Sequence, residues 1–293
     1  MTNVAFLGLG VMGMFMAEHL VDNKYIVHAF NRTTEKSNAL KKKKGDNVIV
    51  ASTVLDAVEK ADKYVVAMMF DYDNLKNNIF NDPMVMKAMA SKSLIMMMTI
   101  GVEYSLEANE ICSKNNIKYY ECPVLGTNTV AQAGKLQLLL GAEEGDKELE
   151  ALLHCFGPTI RYLDSCPKAM QIKLALNNLV IGLTSVYGTS LAMVERAGIE
   201  PDLLHDIVKG GQFHFGYMDL KGPRFLERNY KNPNFSVDGV LKDVSLIEEE
   251  AKRLGVGTSV LAGVKDLAKE TVEKGPSSGG DDFAEIYEIL NPK

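Results

Sequence analysis

Two halves of different structural class are predicted, an α/β half over residues 1–164 and an all-helical half over residues 165–293. In the first half, short apolar runs alternate with helix-forming segments, which is typical of a parallel sheet with crossover helices. In the second half, helical segments are bounded by Gly, Pro and Asn, with no alternating strand pattern. A proline-free run over residues 168–196 predicts a long helix joining the two halves.

The composition indicates a globular protein of about two domains. Its 293 residues are 46% hydrophobic, and the formal net charge of −6 argues against a nucleic-acid-binding surface. No uninterrupted apolar run reaches the roughly 18 residues of a membrane span, and no signal-peptide pattern precedes the first strand, so no membrane contact and a cytoplasmic location are expected. The four cysteines lack metal-ligand spacing, so reduced thiols and no metal site are expected.

The first half contains several predicted strands and helices in alternation. Apolar runs predict strands over residues 3–8, 25–30, 64–69, 94–98 and 118–124, and two later runs over 134–141 and 159–163 are predicted to close the domain. Helices are predicted over residues 11–21, 52–61, 72–90 and 103–115.

A glycine motif, G-x-G-x-x-G, lies between the first predicted strand and the first predicted helix. Gly8 permits the tight turn, Gly10 lets the backbone approach a pyrophosphate, and Gly13 allows close packing of helix on strand. Phosphate charge then lies at the N-terminus of the helix. This order of elements predicts a Rossmann dinucleotide-binding domain over residues 1–164. The cofactor-binding residues predicted in the turn are Gly8, Leu9, Gly10, Val11, Met12 and Gly13.

The second strand ends in Asn31, Arg32 and Thr33, where an NAD site would place an acidic residue for the ribose hydroxyls. Because Arg32 can pair with a 2′-phosphate and Thr33 can add a hydroxyl donor, NADP(H) is predicted in preference to NAD(H). The alternative is that Arg32 is an ordinary exposed loop residue.

The carboxyl ends of the later strands face the ligand crevice in a parallel sheet. Met69, Phe70 and Thr99 are therefore predicted to lie near the nicotinamide. Cys122 and the loop Leu125-Gly126-Thr127 are predicted to lie there too, and the candidate substrate-binding residues are Val124, Leu125, Gly126 and Thr127.

Lys173 and Asn177 lie one turn apart in the long predicted helix, on one face. A buried ammonium beside an amide can give a proton to a carbonyl oxygen while a nicotinamide delivers hydride to the carbon. The alternative is a solvated polar face, which this spacing often forms.

Over essentially its whole length the chain resembles the β-hydroxyacid dehydrogenase family, which includes 3-hydroxyisobutyrate dehydrogenases, tartronate semialdehyde reductases, and glyoxylate and succinic semialdehyde reductases. The 6-phosphogluconate dehydrogenases are more distant relatives with a larger helical domain. The matching segments, in order, are GLGVMGMFMA, NRT, CPVLG, KLALNN, LKDVSL and DDFAEIYEIL. The resemblance implies redox chemistry on a small hydroxy acid or its aldehyde, and a homodimer or homotetramer.

The resemblance also implies roles for particular residues. Lys173 would be the general acid in reduction and the base in oxidation, Asn177 would orient the substrate, and Lys242 would lie near the cofactor and the substrate. Asp243 is expected to be structural, capping or pairing with a neighbouring helix. Where the family often reads D-x-P-V-S-G-G, this chain reads ECPVLGT from Glu121, which indicates a more apolar or differently shaped pocket.

Two other functions fit parts of the pattern. Imine reductases resemble this fold and carry NRT-like loops, but they commonly lack the family's lysine, so Lys173 counts against that function. A non-catalytic NADP-binding interaction protein is compatible with the altered LGT loop, whereas the retained Lys173 and Asn177 favour an enzyme.

Overall fold

Six parallel strands form the main sheet of the N-terminal unit. The computed structural model describes residues 1–292, and the chain divides into two compact units, Met1–Lys173 and the residues from Leu174 on. The strand order is β3-β2-β1-β4-β5-β6, which is the order of a Rossmann domain and confirms the predicted fold class. These strands are β1 (Asn3–Leu7), β2 (Ile26–Phe30), β3 (Val48–Val50), β4 (Tyr64–Ala67), β5 (Ser93–Met96) and β6 (Lys118–Glu121).

Helices cover both faces of this sheet. Because successive side chains of a strand point to opposite faces, Val4 and Phe6 of β1 enter one buried apolar cluster while Ala5 and Leu7 enter the other. The helices of the unit are α1 (Gly13–Asp22), α2 (Thr34–Lys44), α3 (Val54–Lys60), α4 (Tyr72–Leu75), α5 (Pro83–Met89), α6 (Val102–Lys114), α7 (Asn128–Gln132) and α8 (Lys147–Leu153).

The prediction of one continuous helix over residues 72–90 was wrong, because the chain starts a new helix at Pro83. After α4 the chain makes a π-helical turn, Lys76–Phe80, and Asp82 then caps α5 by accepting hydrogen bonds from the N–H groups of Met84 and Val85. An Asp followed by Pro at the first helical position is a helix start signal.

The two late apolar runs do not extend the main sheet as closing strands. They belong to a separate three-stranded sheet in the order β7-β8-β9, in which β7 and β8 are antiparallel and β8 and β9 are parallel. The predicted strand over 118–124 is divided at Pro123, which cannot donate to a ladder. The strands of this sheet are β7 (Val124–Leu125), β8 (Gln137–Leu140) and β9 (Thr159–Tyr162).

The predicted long helix is α9 (Lys168–Arg196), which has 29 residues. Among the helices of residues 1–292, only α9 is long and apolar enough to cross a membrane. The core helix of a soluble protein can have the same length and composition. In the most apolar stretch of α9, 39% of the helix is buried. The described remainder is helical: α10 (Pro201–Lys209), α11 (Met218–Leu226), α12 (Val237–Arg253), α13 (Ser259–Lys274), a 3₁₀ turn (Phe283–Ile286) and α14 (Tyr287–Leu290).

A fully buried ion pair lies in the C-terminal unit. Lys221 of α11 donates to Asp282, which also accepts hydrogen bonds from the N–H groups of Asn234 and Ala284 at 2.9 and 3.0 Å. Burial lowers the pKa of Lys221, and the Asp282 carboxylate opposes that effect. This pair ties α11 to the segment after α13.

Candidate functional site

The glycine turn between β1 and α1 has the shape that a bound pyrophosphate requires. Gly8 has a φ of +103°, and a Cβ there would lie 2.3 Å from the carbonyl oxygen of Met68, so only glycine fits. A Cβ on Gly13 would lie 2.1 Å from the carbonyl oxygen of Gly8. At Gly10, by contrast, a Cβ would meet nothing within 4 Å. Backbone atoms therefore fill the space next to Gly8 and Gly13, whereas the space next to Gly10 is open. This open space fits a dinucleotide phosphate at the start of α1.

Asn31 holds this turn against the end of β2. Its Oδ1 accepts a hydrogen bond from the N–H of Leu9 at 2.8 Å, and its Nδ2 donates to the carbonyl oxygen of Thr33 at 3.0 Å. Arg32 and Thr33 follow on the exposed loop before α2, so their side chains are accessible to a ligand. Asn31 thus positions the loop that carries Arg32.

The other predicted cofactor residues of the N-terminal unit lie at the carboxyl ends of neighbouring strands. Met69 and Phe70 follow β4, and Thr99 follows β5. Met69 and Thr99 are half-buried, whereas Phe70 is exposed. Val11 is exposed in the glycine turn and Met12 is half-buried.

Lys173 contacts the segment predicted to bind substrate. Its half-buried Nζ donates to the carbonyl oxygen of Val124 at 2.9 Å. Gly126 has a φ of +136°, and a Cβ there would lie 2.8 Å from Val130, so the sharp turn after β7 needs glycine. The hydroxyl of buried Thr127 lies 2.8 Å from that of Thr129, and Leu125 is half-buried.

Glu121 anchors the first turn of α9, one turn before Lys173. Its buried carboxylate accepts hydrogen bonds from the N–H of Ala169 at 2.8 Å and from the hydroxyl of Ser105 at 2.6 Å. Burial raises the pKa of Glu121, and these hydrogen bonds act in the opposite direction. A carboxylate at a helix N-terminus is favoured by the helix dipole.

In the C-terminal unit, Asp243 of α12 binds Asn177 of α9. The Nδ2 of Asn177 donates to Oδ2 of Asp243 at 2.6 Å, and both side chains are buried. Lys242 Nζ lies 2.8 Å from Oδ1 of Asp243. The two side chains therefore form an ion pair. Asp243 pairs with a neighbouring helix, as predicted, and it joins the two predicted site residues Asn177 and Lys242.

Comparison with known proteins identifies the family. Residues 3–163 match the NAD-binding domain of 6-phosphogluconate dehydrogenase, and residues 168–290 match the NAD-binding domain of NADP-dependent 3-hydroxyisobutyrate dehydrogenase. The chain is 30% identical to glyoxylate/succinic semialdehyde reductase 1 of Arabidopsis thaliana, over 98% of each chain. It belongs to the β-hydroxyacid dehydrogenase family. As a β-hydroxyacid dehydrogenase it is an NAD(P)-binding oxidoreductase that acts on CH–OH groups.

Solved structures share the fold of this β-hydroxyacid dehydrogenase. A 3-hydroxyisobutyrate dehydrogenase from Salmonella typhimurium superimposes with a TM-score of 0.87 at 18% identity, covering 99% of this chain and 100% of that one. An imine reductase from Myxococcus stipitatus gives a TM-score of 0.65 at 19% identity, covering 99% and 100%.

Two carboxylates contact predicted site elements but are not among the residues that the sequence predicts for the site. Asp243 binds Asn177 in the C-terminal unit, and Glu121 accepts a hydrogen bond from the first turn of α9 in the N-terminal unit. For Glu121 the signal is an acidic residue directly before the apolar run from Cys122 to Leu125, because an isolated buried carboxylate is costly and requires donors; Asp243 follows Lys242 in a helix with several charged residues and carries no such signal.

Proposed function

We propose that this β-hydroxyacid dehydrogenase uses NADP(H) to interconvert a small 3-hydroxy acid, or a related hydroxy acid, and its semialdehyde or keto acid. The observation that carries the proposal is the contact between Lys173 Nζ and the carbonyl oxygen of Val124. It brings Lys173, the candidate proton donor, to the segment predicted to bind substrate. The name of the Arabidopsis relative supports an aldehyde acid as substrate.

When bound, reduced nicotinamide supplies a hydride to the substrate's carbonyl carbon. Lys173 Nζ then gives a proton to the carbonyl oxygen, and in the oxidation direction it accepts the hydroxyl proton. The carbonyl oxygen of Val124 accepts one Nζ hydrogen, which limits the orientations of the ammonium.

Asn177 orients the substrate in this proposal. Because the carboxylate of Asp243 only accepts hydrogen bonds, the atom of Asn177 beside it must be the Nδ2 donor. Oδ1 of Asn177 is then the atom that can accept a hydrogen bond from a substrate hydroxyl. Asp243 acts through Asn177 as a positioning residue.

We propose NADP(H) rather than NAD(H) because the exposed loop between β2 and α2 carries Arg32 and Thr33 and contains no carboxylate. Arg32→Glu should weaken NADPH binding and leave NADH binding unchanged or improved. Equal losses for the two nucleotides would contradict a role for Arg32 at the 2′-phosphate. We also propose a cytoplasmic location.

The test is NADPH oxidation with succinic semialdehyde, methylmalonate semialdehyde, tartronate semialdehyde and glyoxylate. Lys173→Ala should lose turnover by at least about 100-fold, the lower range for general acid–base catalysis. Lys168→Ala is the matched control, since Lys168 starts the same helix and forms a surface ion pair with Asp164. It should retain turnover.

Three results would contradict the proposal. Undiminished turnover in Lys173→Ala would remove the assigned acid. Turnover of cyclic imines alone would assign the chain to imine reduction, and tight NADPH binding without turnover of either substrate class would indicate a non-catalytic protein.

A further inference from the structure

The last turn of α1 carries a histidine that binds a second helix of the N-terminal unit. The Nε2 atom of half-buried His19 lies 2.9 Å from the carbonyl oxygen of Ala131 and 3.1 Å from that of Gln132. Because carbonyl oxygens only accept hydrogen bonds, Nε2 carries the hydrogen and is the donor to both. His19 therefore joins α1 to α7.

The two carbonyl groups lie at the carboxyl end of α7, where a helix has no partners of its own for its last carbonyl oxygens. The N–H of Gly134 donates to the carbonyl oxygen of Ala131 and the N–H of Lys135 to that of Val130, each at 3.0 Å, which is a Schellman arrangement. Gly134 has a φ of +64°, and a Cβ there would lie 3.1 Å from Cε1 of His19. The imidazole ring therefore packs directly on the turn that ends α7.

Helix α7 is short and begins at the segment predicted to bind substrate. It has five residues, and a helix of that length is unstable in water without contacts to the rest of the protein. The carbonyl oxygen of Thr127 accepts a hydrogen bond from the N–H of Ala131 at 2.8 Å, and a Cβ on Gly126 would lie 2.8 Å from Val130. A shift of α7 would therefore move Gly126 and Thr127 with it.

The other end of α1 faces the space assigned to the cofactor. Gly13 begins the helix, directly after the glycine turn. Helix α1 is fixed in the core, since Met16, Ala17 and Leu20 are fully buried. A single rigid helix thus carries the cofactor turn at its start and supports the substrate segment at its end through His19.

We propose that His19 is a positioning residue for substrate binding, which fixes α7, and with it Gly126 and Thr127, relative to the cofactor turn. The inference rests on the proposed function, because residues 124–127 are assigned to the substrate there. His19 acts through α7, so its loss affects the binding of the aldehyde acid more than that of NADPH.

The first test is steady-state kinetics with the aldehyde acid that the wild type reduces fastest. His19→Leu removes the donor and keeps an apolar side chain against α7. It should raise KM by about five- to tenfold, the effect of one net hydrogen bond, with a smaller change in kcat and no change in the dissociation constant of NADPH. His19→Gln should recover most of the lost KM, because its amide can donate to the same carbonyl oxygens.

The second test, hydrogen exchange of the apoprotein followed by mass spectrometry, needs no turnover. In His19→Leu the amides of residues 126–135 should exchange at least about fivefold faster, since the end of α7 loses a donor. His19→Gln should exchange like the wild type. His154→Leu is the matched control, because His154 Nδ1 lies 3.3 Å from the carbonyl oxygen of Gly157 at the end of another helix of the same unit. It should change neither KM nor the exchange of residues 126–135.

Several outcomes would overturn the proposal. Unchanged KM in His19→Leu would show that substrate binding does not depend on His19, even if α7 exchanges faster. An equal rise of KM in His154→Leu would reveal a general loss of stability, and a raised KM in His19→Gln would show that the donated hydrogen bonds are not what fixes α7. A wild type that reduces no aldehyde acid would refute the proposed function instead, and the exchange rates alone would then decide whether His19 fixes α7.

Discussion

Replacing Gly10 with Ala should separate cofactor binding from folding. A Cβ at Gly10 meets nothing within 4 Å in the folded chain, and Gly10 does not have a positive φ. The apoprotein should therefore be as stable as wild type or more stable by about 0.4–1 kcal/mol, because alanine restricts the unfolded chain. The added methyl group enters the space assigned to the pyrophosphate. An overpacking cost of about 1–3 kcal/mol corresponds to roughly 5- to 150-fold weaker binding.

Titration of NADPH followed by calorimetry gives the dissociation constant, and urea unfolding of the apoprotein gives the stability. Gly13→Ala is the comparison variant, since its Cβ would lie 2.1 Å from the carbonyl oxygen of Gly8 and should lower both quantities. Unchanged NADPH affinity in Gly10→Ala would refute the assignment of the open space to the phosphate. Loss of apoprotein stability in that variant would refute the geometry.

Three other substitutions test the buried polar groups. Asp243→Ala should lower turnover about tenfold or more, since a hydrogen bond to a charged group contributes about 1.5–3 kcal/mol; steady-state kinetics with fixed, saturating NADPH measures it. Lys221→Met should lower the free energy of unfolding in urea by about 3–5 kcal/mol, because the buried Asp282 carboxylate loses its nearest cation and keeps only Arg224, whose Nε lies 3.7 Å away. Because burial raises the pKa of Glu121, the contribution of this carboxyl to stability falls as the pH rises above about 4.3. The stability of Glu121→Gln minus that of the wild type should therefore be larger at pH 7.5 than at pH 4.5.

Each of these predictions has an outcome that contradicts it. Asp243→Ala with normal turnover would show that Asn177 needs no fixed orientation. A loss for Lys221→Met no larger than that of Lys114→Ala, which breaks an exposed pair with Glu110, would show that the buried pair is not required. A stability difference for Glu121→Gln that does not change with pH would show that its carboxyl has the same pKa in both states.

The sequence was sufficient for the fold because its signals there are local. Glycine positions, strand ends and the proline-free run each depend on neighbouring residues, and the strand order agrees with them. The sequence did not predict which residues make contacts between segments that are distant in the chain. The bond from Lys173 to Val124 spans 49 residues and that from Asn177 to Asp243 spans 66, and each depends on packing that no spacing rule specifies. The short strand β3 and the lysine-rich α2 were missed because neither carries a strong apolar period.

The partner of Lys173 is a main-chain oxygen, and this choice affects how the protein can change over evolutionary time. No substitution at Val124 removes a carbonyl group, so Lys173, the proposed acid–base residue, keeps its contact while neighbouring side chains vary. Leu125 and Thr127 already differ from the serine and glycine that are common in the family. If Lys173 is the proton donor as proposed, substrate preference can change at those two positions without disturbing it, and a new specificity does not require a new catalytic group.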